Sequence, residues 1–590
     1  MIIEPLVRRY ENLVYEGKLP LKGWSNEKIS YGIKLNASGE ITQIVDLRTT
    51  ITKGKREITT PIIKMLPERV ERSNNLISNF LYDNASYLLG VDAKGELQKS
   101  IPRFQAAKEK HLNILKNCNS EPATAVKKFF ETWNPSYAYD CEAIKGVWDD
   151  IQAINLIFMV GDLFAIDDSE IKTAYTNYLN DVQNNLEENK KMRCLITGKI
   201  ENIARTHPAI KGIVGTPSSG GKIVSFNKDS PCFESLGKIK AQGFNAPISQ
   251  YVAFAYTTAL NNLLQDKKHI RHFSDTTILY WADKSEDEYQ SIVDYFLIGD
   301  NGEINEQILK DTWLALEKGG CVYFNGKELN SNEPFYILAL SPNSARISIR
   351  FFLEATLGEI LRNIICFHKN MEIVSPKNKF IPLFKLEDAL ISSKAQNRDL
   401  FPAVACAILK SIFYGTDFPK SFLANAIQRT YLEQDSKKED KKLPNYKISS
   451  VRCAMIKAYL IRNQWRDITV ALNEEEKDTA YVLGRIFAVL ETIQKKSNPD
   501  ITIKDRYFNS FCAMPNKIFP ILNKNSQYHL KKLKGGLKIY YEKILRDLMC
   551  KLDVANIPKI MPLEKQGMVI LGYYHQVQSL YTKKEDAQNE

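Results

Sequence analysis

The sequence contains no Cys-x-x-Cys pair. Its ten cysteines stand apart, at positions 118, 141, 194, 232, 321, 366, 406, 453, 512 and 550. Zinc ribbons and dithiol redox motifs need close pairs, because a short loop must hold two thiolates on one metal or in one disulfide. Reduced, mostly buried thiols are the better reading. No stretch approaches the roughly 18 uninterrupted apolar residues of a membrane span. The first ten residues, "MIIEPLVRRY", put Glu4 and Pro5 where a signal peptide carries its apolar core. No export signal is therefore read, and a cytoplasmic location is expected.

Catalytic motifs are also missing. There is no Gly-x-Ser-x-Gly elbow and no His-Asp dyad of the metal-dependent phosphohydrolase kind. The acid pairs Asp149-Asp150 and Asp167-Asp168 are adjacent in sequence, so on a helix their carboxylates diverge. His269 and His272 are three apart but have neither a cysteine nor a metalloprotease glutamate beside them. No metal, no cofactor and no enzymatic activity are expected.

One stretch invites a nucleotide reading. "GIVGTPSSGGKIVSF", residues 212–226, has Gly215 and Gly220 at the spacing of a phosphate-binding loop. That loop needs Gly-Lys-Ser/Thr next, opening a helix whose N-terminus faces the phosphates. Here Gly221 follows, Lys222 comes one residue late, and Ile223 replaces the magnesium-binding hydroxyl. "KIVSF" reads as an extended run. A nucleotide-dependent enzyme built on residues 212–222 is therefore only a remote alternative to a Gly-Ser-Pro turn.

At 590 residues, the chain calls for about two to four domains. The net charge of +11 is unevenly spread. Between Lys504 and Lys551 stand 11 Lys or Arg residues against three acids, Asp505, Glu542 and Asp547. Such a window fits a polyanion partner, since each neutralised phosphate releases counterions. It fits a solvated basic helix equally well.

The pattern along the chain predicts an α+β fold: a mixed N-terminal region with β-hairpins and inserted helices, then a C-terminal all-α bundle. Ile29, Tyr31, Ile33 and Leu35 alternate with polar positions before "NASG" turns the chain into "EITQIVDLR", a hairpin with one buried face. The basic loop 51–61 carries Lys53, Lys55 and Arg56. A loop entering a helix follows, with Arg69, Arg72, Asn74, Asn75 and Asn79. Amides beside guanidinium groups suit base-edge reading, and suit helix caps and polar turns as well. Residues 105–190 are helix-biased, and a further boundary is expected near 190. "QYVAFAYTTALNNLL" reads as a helix, "DTTILYWAD" as a buried strand, and "FYILALSPNSARISIRFF" as a strand pair. Strict alternation there puts Ile347, Ile349 and Phe351 on one face, with Arg346, Ser348 and Arg350 as a cationic ridge on the other. Such arginines also bind neighbouring carboxylates.

The mixed region is expected to run over 1–384. A helical connection at 385–432 and a charged connector, "EQDSKKEDKKLPNYK", at 433–447 then lead to a bundle at 448–590. In that bundle Asn473 is a candidate cap, with Glu476 at the capping-box position, for a helix with Val482, Leu483, Ile486, Phe487 and Leu490 as its stripe. A later helix is expected to bury Leu530, Leu533, Leu537, Ile544 and Leu548, with Lys531, Lys532, Lys534 and Lys538 exposed and Gly535-Gly536 interrupting it.

Several stretches together resemble the large subunit of the type I-C CRISPR surveillance complex, Cascade. They are "KISYGIKLNASGEITQIVDLR", "SNFLYDNASYLLG", "CLITG" with "IARTHPAIKG" through the Gly-Ser loop, "FNAPISQYVAFAYTTALNNLL", "LALSPNSARISIRFF", "PNKIFPILNKNSQYHLKKL" and "PLEKQGMVILGYYHQ". They occur in the same order over nearly the whole chain. Thr216-Pro217 departs from the more glycine-rich entry expected of that loop. The resemblance implies a non-enzymatic role in RNA-guided antiviral defence. It implies reading a short protospacer-adjacent motif (PAM) in duplex DNA, opening the strands into an R-loop and holding the displaced strand. It also implies a helicase-nuclease to recruit, with guide RNA and the backbone, guide-5′-end and small subunits as partners. The C-terminal bundle is small-subunit-like, with Met455 as an internal start. On this reading the 69–79 region and the loop, through Lys211, Ser218, Ser219 and Lys222, read the motif. Arg346, Arg350 and the lysines from 531 to 538 hold the displaced strand. The alternative is a generic single-strand-binding scaffold.

Overall fold

The computed structural model describes residues 2–53, 56–70, 76–92, 97–152, 154–185, 191–227, 242–284, 286–300, 302–375, 380–392, 401–435, 446–464, 466–499 and 502–586. It has about 53% helix and 17% strand, and no strand follows Thr356 among the described residues. An α+β region followed by an all-α region is thus what the chain forms. The chain divides into two compact units. The first holds residues 3–207 and 226–259, and the second residues 208–225 and 260–590.

In the first unit the expected hairpin pairs Tyr31–Leu35 with Ile41–Asp46. Asn155–Val160, inside the stretch read as helix-biased, is instead a strand parallel to Tyr31–Leu35, in register Tyr31↔Leu156 to Leu35↔Val160. Tyr82–Asn84 then pairs antiparallel with it. After Asn155 the run "LIFMV" is apolar throughout because this part of the strand is buried on both faces. Phe129 and Phe130, from the helix Glu121–Thr132, pack on Phe158, and His111 stacks on Phe130. His111 Nδ1 donates to Ala107 O at 2.7 Å, and its Nε2 accepts from Leu81 N–H at 2.8 Å. It thereby holds Leu81, which has the unusual φ of +65° for a non-glycine residue.

The second unit is built on a four-stranded antiparallel sheet in the order Ile270–Phe273, Thr276–Ala282, Pro334–Asn343, Arg346–Thr356. The helix Leu357–Met371 continues from the last strand through a capping box between Thr356 and Glu359. One hydrophobic core runs from Phe273 on the sheet, through Leu386 and Ile408, to Ile456, Phe487 and Tyr573 in the C-terminal helices. The ends of the charged connector are tied down. Lys447 N–H donates to Asp435 Oδ1 at 2.8 Å, Lys504 pairs with Asp435, and Glu433 binds Arg429. Residues 436–445 lie outside the described residues.

The helix Thr479–Ser497 is buried on almost every side, against Pro515–Lys532, Gly536–Met549 and above all Leu563–Asp586. It begins later than Asn473 suggested. Asp478 is the cap, accepting from Ala480 and Tyr481 N–H, while Asn473 closes a turn by accepting from Glu475 N–H. The expected helix through 530–548 is in fact two. Gly535 at φ +60° breaks it between Lys532 and Gly536, which rotates Leu537 out to 48% exposure while Leu530, Leu533 and Leu548 stay buried.

Candidate nucleic-acid interface

The Gly-Ser loop is a closed excursion. Ile210 and Gly221 exchange backbone hydrogen bonds of 2.8 and 2.9 Å at its neck. Asn261 clamps that neck from the neighbouring helix, accepting from Lys211 N–H at 2.8 Å and donating to Ala209 O at 3.1 Å. Within the loop, Gly220 N–H donates to Pro217 O and Thr216 Oγ1 to Ile213 O. Gly220 stands at φ +88°, and a Cβ there would lie 2.6 Å from Ile210 O, so the neck requires glycine. Lys211, Ser218 and Ser219 are exposed at the loop surface and Lys222 is half-buried. No helix follows, only a short bridge and a bend.

The exit of the loop joins the hairpin turn of the main sheet. Lys222 N–H donates to Ala345 O at 3.2 Å, and Ile347 N–H donates to Lys222 O at 3.0 Å. The structure therefore brings Arg346, distant in sequence, to Lys222 at the exit of the loop that carries Lys211, Ser218 and Ser219. Arg346 is exposed at this junction.

The expected ridge of Arg346 and Arg350 does not form. A β-bulge sets Leu340 opposite Ile349 and Ala339 opposite Phe351, leaving Arg350 as the extra residue. Ile349 and Phe351 then face opposite sides of the sheet, 39% and 5% exposed. Arg350 turns to Asp275 in a 3.0 Å ion pair. It is a sheet residue with a carboxylate partner, and the cationic surface passes to Arg346 and the loop.

In the first unit, Lys53 and Arg56 are paired in backbone register at the end of the hairpin Thr49–Lys53/Arg56–Thr60. Arg69 is exposed. Asn79 is buried, with its Oδ1 accepting from Val70 N–H at 3.0 Å and its own N–H donating to Asp83. That amide pins the start of the 70–79 segment, so the base-edge role expected of Asn79 is not available in this arrangement. Lys55, Arg72, Asn74 and Asn75 lie outside the described residues.

Lys531, Lys532 and Lys534 are exposed around the end of the helix Pro515–Lys532. Lys538 is half-buried and pairs with Glu542 at 3.9 Å. Three cations at a helix C-terminus complement its dipole.

Three of the residues weighed for chemistry, Asp167, Asp168 and His269, are held by structural partners. Asp167 binds Lys64, and Asp168 accepts from Ile171 N–H and Ser120 Oγ. His269 is buried with Nδ1 donating to Tyr280 O. Among the described residues no group of three or more His, Cys, Asp and Glu is placed to hold a metal ion, and no helix is long and apolar enough to cross a membrane. Sequence reasoning missed Asn261 and Asp275. An amide inside the apolar run "TTALNNLL" was the available signal for the first.

The family model for CRISPR-associated proteins of the Cas_Csd1 type matches residues 6–581, so the chain belongs to that family. This is the family of the large subunit of type I-C Cascade, as the sequence resemblance implied. No curated protein matches the chain.

Proposed function

We propose that this subunit reads the protospacer-adjacent motif in duplex DNA, assists strand separation and R-loop formation, holds the displaced strand and helps recruit the helicase-nuclease, without catalysing a reaction itself. The observation that carries this reading is the junction of the Gly-Ser loop with the hairpin turn. Small residues let backbone N–H groups approach a phosphate closely, and the hydroxyls of Ser218 and Ser219 add donors beside Lys211, Lys222 and Arg346. Such contacts fix the register of a protein on a duplex, and base-edge contacts from the 69–78 segment would then supply the sequence preference. Long-range specificity belongs to guide pairing, which leaves the protein only the short motif and the backbone to recognise. Guide RNA, the backbone, guide-5′-end and small subunits are its partners in this scheme. The lysines at 531–534 serve the displaced strand.

The test is binding of the complex, reconstituted with guide RNA and its partner subunits, to duplexes that differ only in the flanking trinucleotide. A clear preference among flanks is expected, and replacing Ser218, Ser219 and Lys222 with alanine is expected to weaken binding to every flank alike, as loss of phosphate contacts does. Equal affinity for every flank would leave only a general nucleic-acid scaffold.

A further inference from the structure

The helix Pro515–Lys532 carries an ordered stripe on its outer side. Lys517, Ile521, Lys524, Tyr528 and Lys531 recur at intervals of four, three, four and three residues. At 3.6 residues per turn they fall within about 80° of arc and along about 21 Å of helix. The inner side is fixed by burial of Ile518, Phe519, Leu522, Ser526 and Leu530. All five stripe residues are exposed, with Tyr528 at 61% and Ile521 at 43%.

Two features set this face apart from an ordinary solvated helix. From Arg506 to Tyr541 the sequence contains no Asp or Glu, so the i,i+4 ion pairs that usually support an exposed basic helix are missing here. None of the three stripe lysines has a carboxylate partner among the described residues. The positions between the lysines are also filled by an aromatic ring and a branched aliphatic chain, rather than by more polar residues.

We propose that this stripe is a stacking track for single-stranded nucleic acid, in which an unpaired base lies on the Tyr528 ring, Ile521 supports its neighbour, and Lys517, Lys524 and Lys531 take the phosphates. The proposal rests on the displaced-strand reading above, and adds the part of the nucleotide that each residue touches. Charge selects a polyanion. The ring selects a single strand, because a duplex keeps its base faces covered, and stacking tolerates any sequence because every base has a π-face.

The experiment measures binding of the full chain to a thymidine strand of about 20 nucleotides, and to an abasic strand of the same length, over a range of salt. The thymidine strand is expected to bind roughly 5- to 100-fold more tightly. Tyr528→Ala is expected to remove that difference while leaving the salt slope and the melting temperature unchanged, and Tyr528→Phe to retain it. Replacing Lys517, Lys524 and Lys531 with alanine is expected to lower the log-log salt slope for both strands by up to about 0.7 per lysine. A base preference that survives Tyr528→Ala overturns the track and leaves the displaced-strand reading intact. So do stripe variants that bind both strands normally but fail to assemble, which would make the face a protein contact. A wild-type chain that binds neither strand removes the displaced-strand reading itself, and the track with it.

Discussion

Gly220 and Ser218 sit two residues apart in the same loop and are predicted to behave in opposite ways. An alanine at 220 must adopt a left-handed backbone and drive its Cβ into Ile210 O. Gly220→Ala is expected to cost about 1–3 kcal/mol in a denaturant melt, and to weaken duplex binding by distorting the neck. Ser218 is exposed, so Ser218→Ala is expected to stay within about 0.5 kcal/mol of wild type. A loss of duplex affinity in that variant would then report the hydroxyl and not the fold. Titration at residue scale lies with the buried histidines. Burial pushes the pKa of His111 down to about 3, and those of His368 and His575 down to about 4. Each is neutral when folded and takes a proton on unfolding near the ordinary value of 6.5. Each therefore contributes fully above pH 6.5, and that contribution is lost as pH falls towards 4. For His111 the loss is up to about 1.4 kcal/mol per pH unit. His111→Gln, whose amide can still accept from Leu81 and donate to Ala107, is expected to flatten the fall in melting temperature between pH 6.5 and 4. An unchanged slope would assign the acid sensitivity to other groups.

At the scale of elements, the helices Thr479–Ser497 and Leu563–Asp586 cross at glycines with their backbones in close approach. A Cβ on Gly484 would lie 2.0 Å from Val569 O, and one on Gly572 would lie 2.1 Å from Tyr481 O. Both obstacles are backbone atoms, which cannot swing aside. Gly484→Ala and Gly572→Ala are each expected to destabilise by about 1–3 kcal/mol as the helices are forced apart, read as a lower denaturant midpoint. The double variant should fall short of the sum, because separation by one relieves the other. Neither glycine was legible in sequence as a crossing point, because periodicity identifies a buried face and not the distance to its neighbour. The same limit explains the other differences. The hairpins at 31–46 and 334–356 were legible from alternation and turn residues. The bulge at Arg350 was not, because register is set by the partner strand. Asn155–Val160 was hidden because its apolar run of five lacks a period. Asn473 and Asp478 both carry capping chemistry, and only packing against Leu563–Asp586 decides which one begins the helix. At the candidate interface the loop and Arg346 were each visible in sequence, but their meeting was not.

For the whole molecule, the positive charge and the continuous core make separate demands. The charge window predicts that replacing Lys531, Lys532 and Lys534 with alanine lowers the salt slope of single-strand binding by up to about 0.7 per lost phosphate contact. Lys538→Ala should do less, because Glu542 already neutralises it. The core bears on whether the C-terminal helices can exist as a separate small subunit. Met455 lies within the helix Ser450–Gln464, where Cys453, Ala454, Met455, Ile456 and Leu460 are all fully buried. That helix packs on Leu357–Met371, Leu383–Leu390 and Lys420–Leu432 as well as on Leu563–Asp586. A chain that starts at Met455 keeps the last contact and loses the first three, so an apolar face that the intact subunit covers is left open. Such a face favours association. The fragment 455–590 expressed alone is therefore expected to elute from gel filtration as a self-associated species, and to become soluble and discrete when a partner covers that face. A stable monomer with the melting temperature of the intact chain would mean that the helices after Met455 carry a complete core of their own.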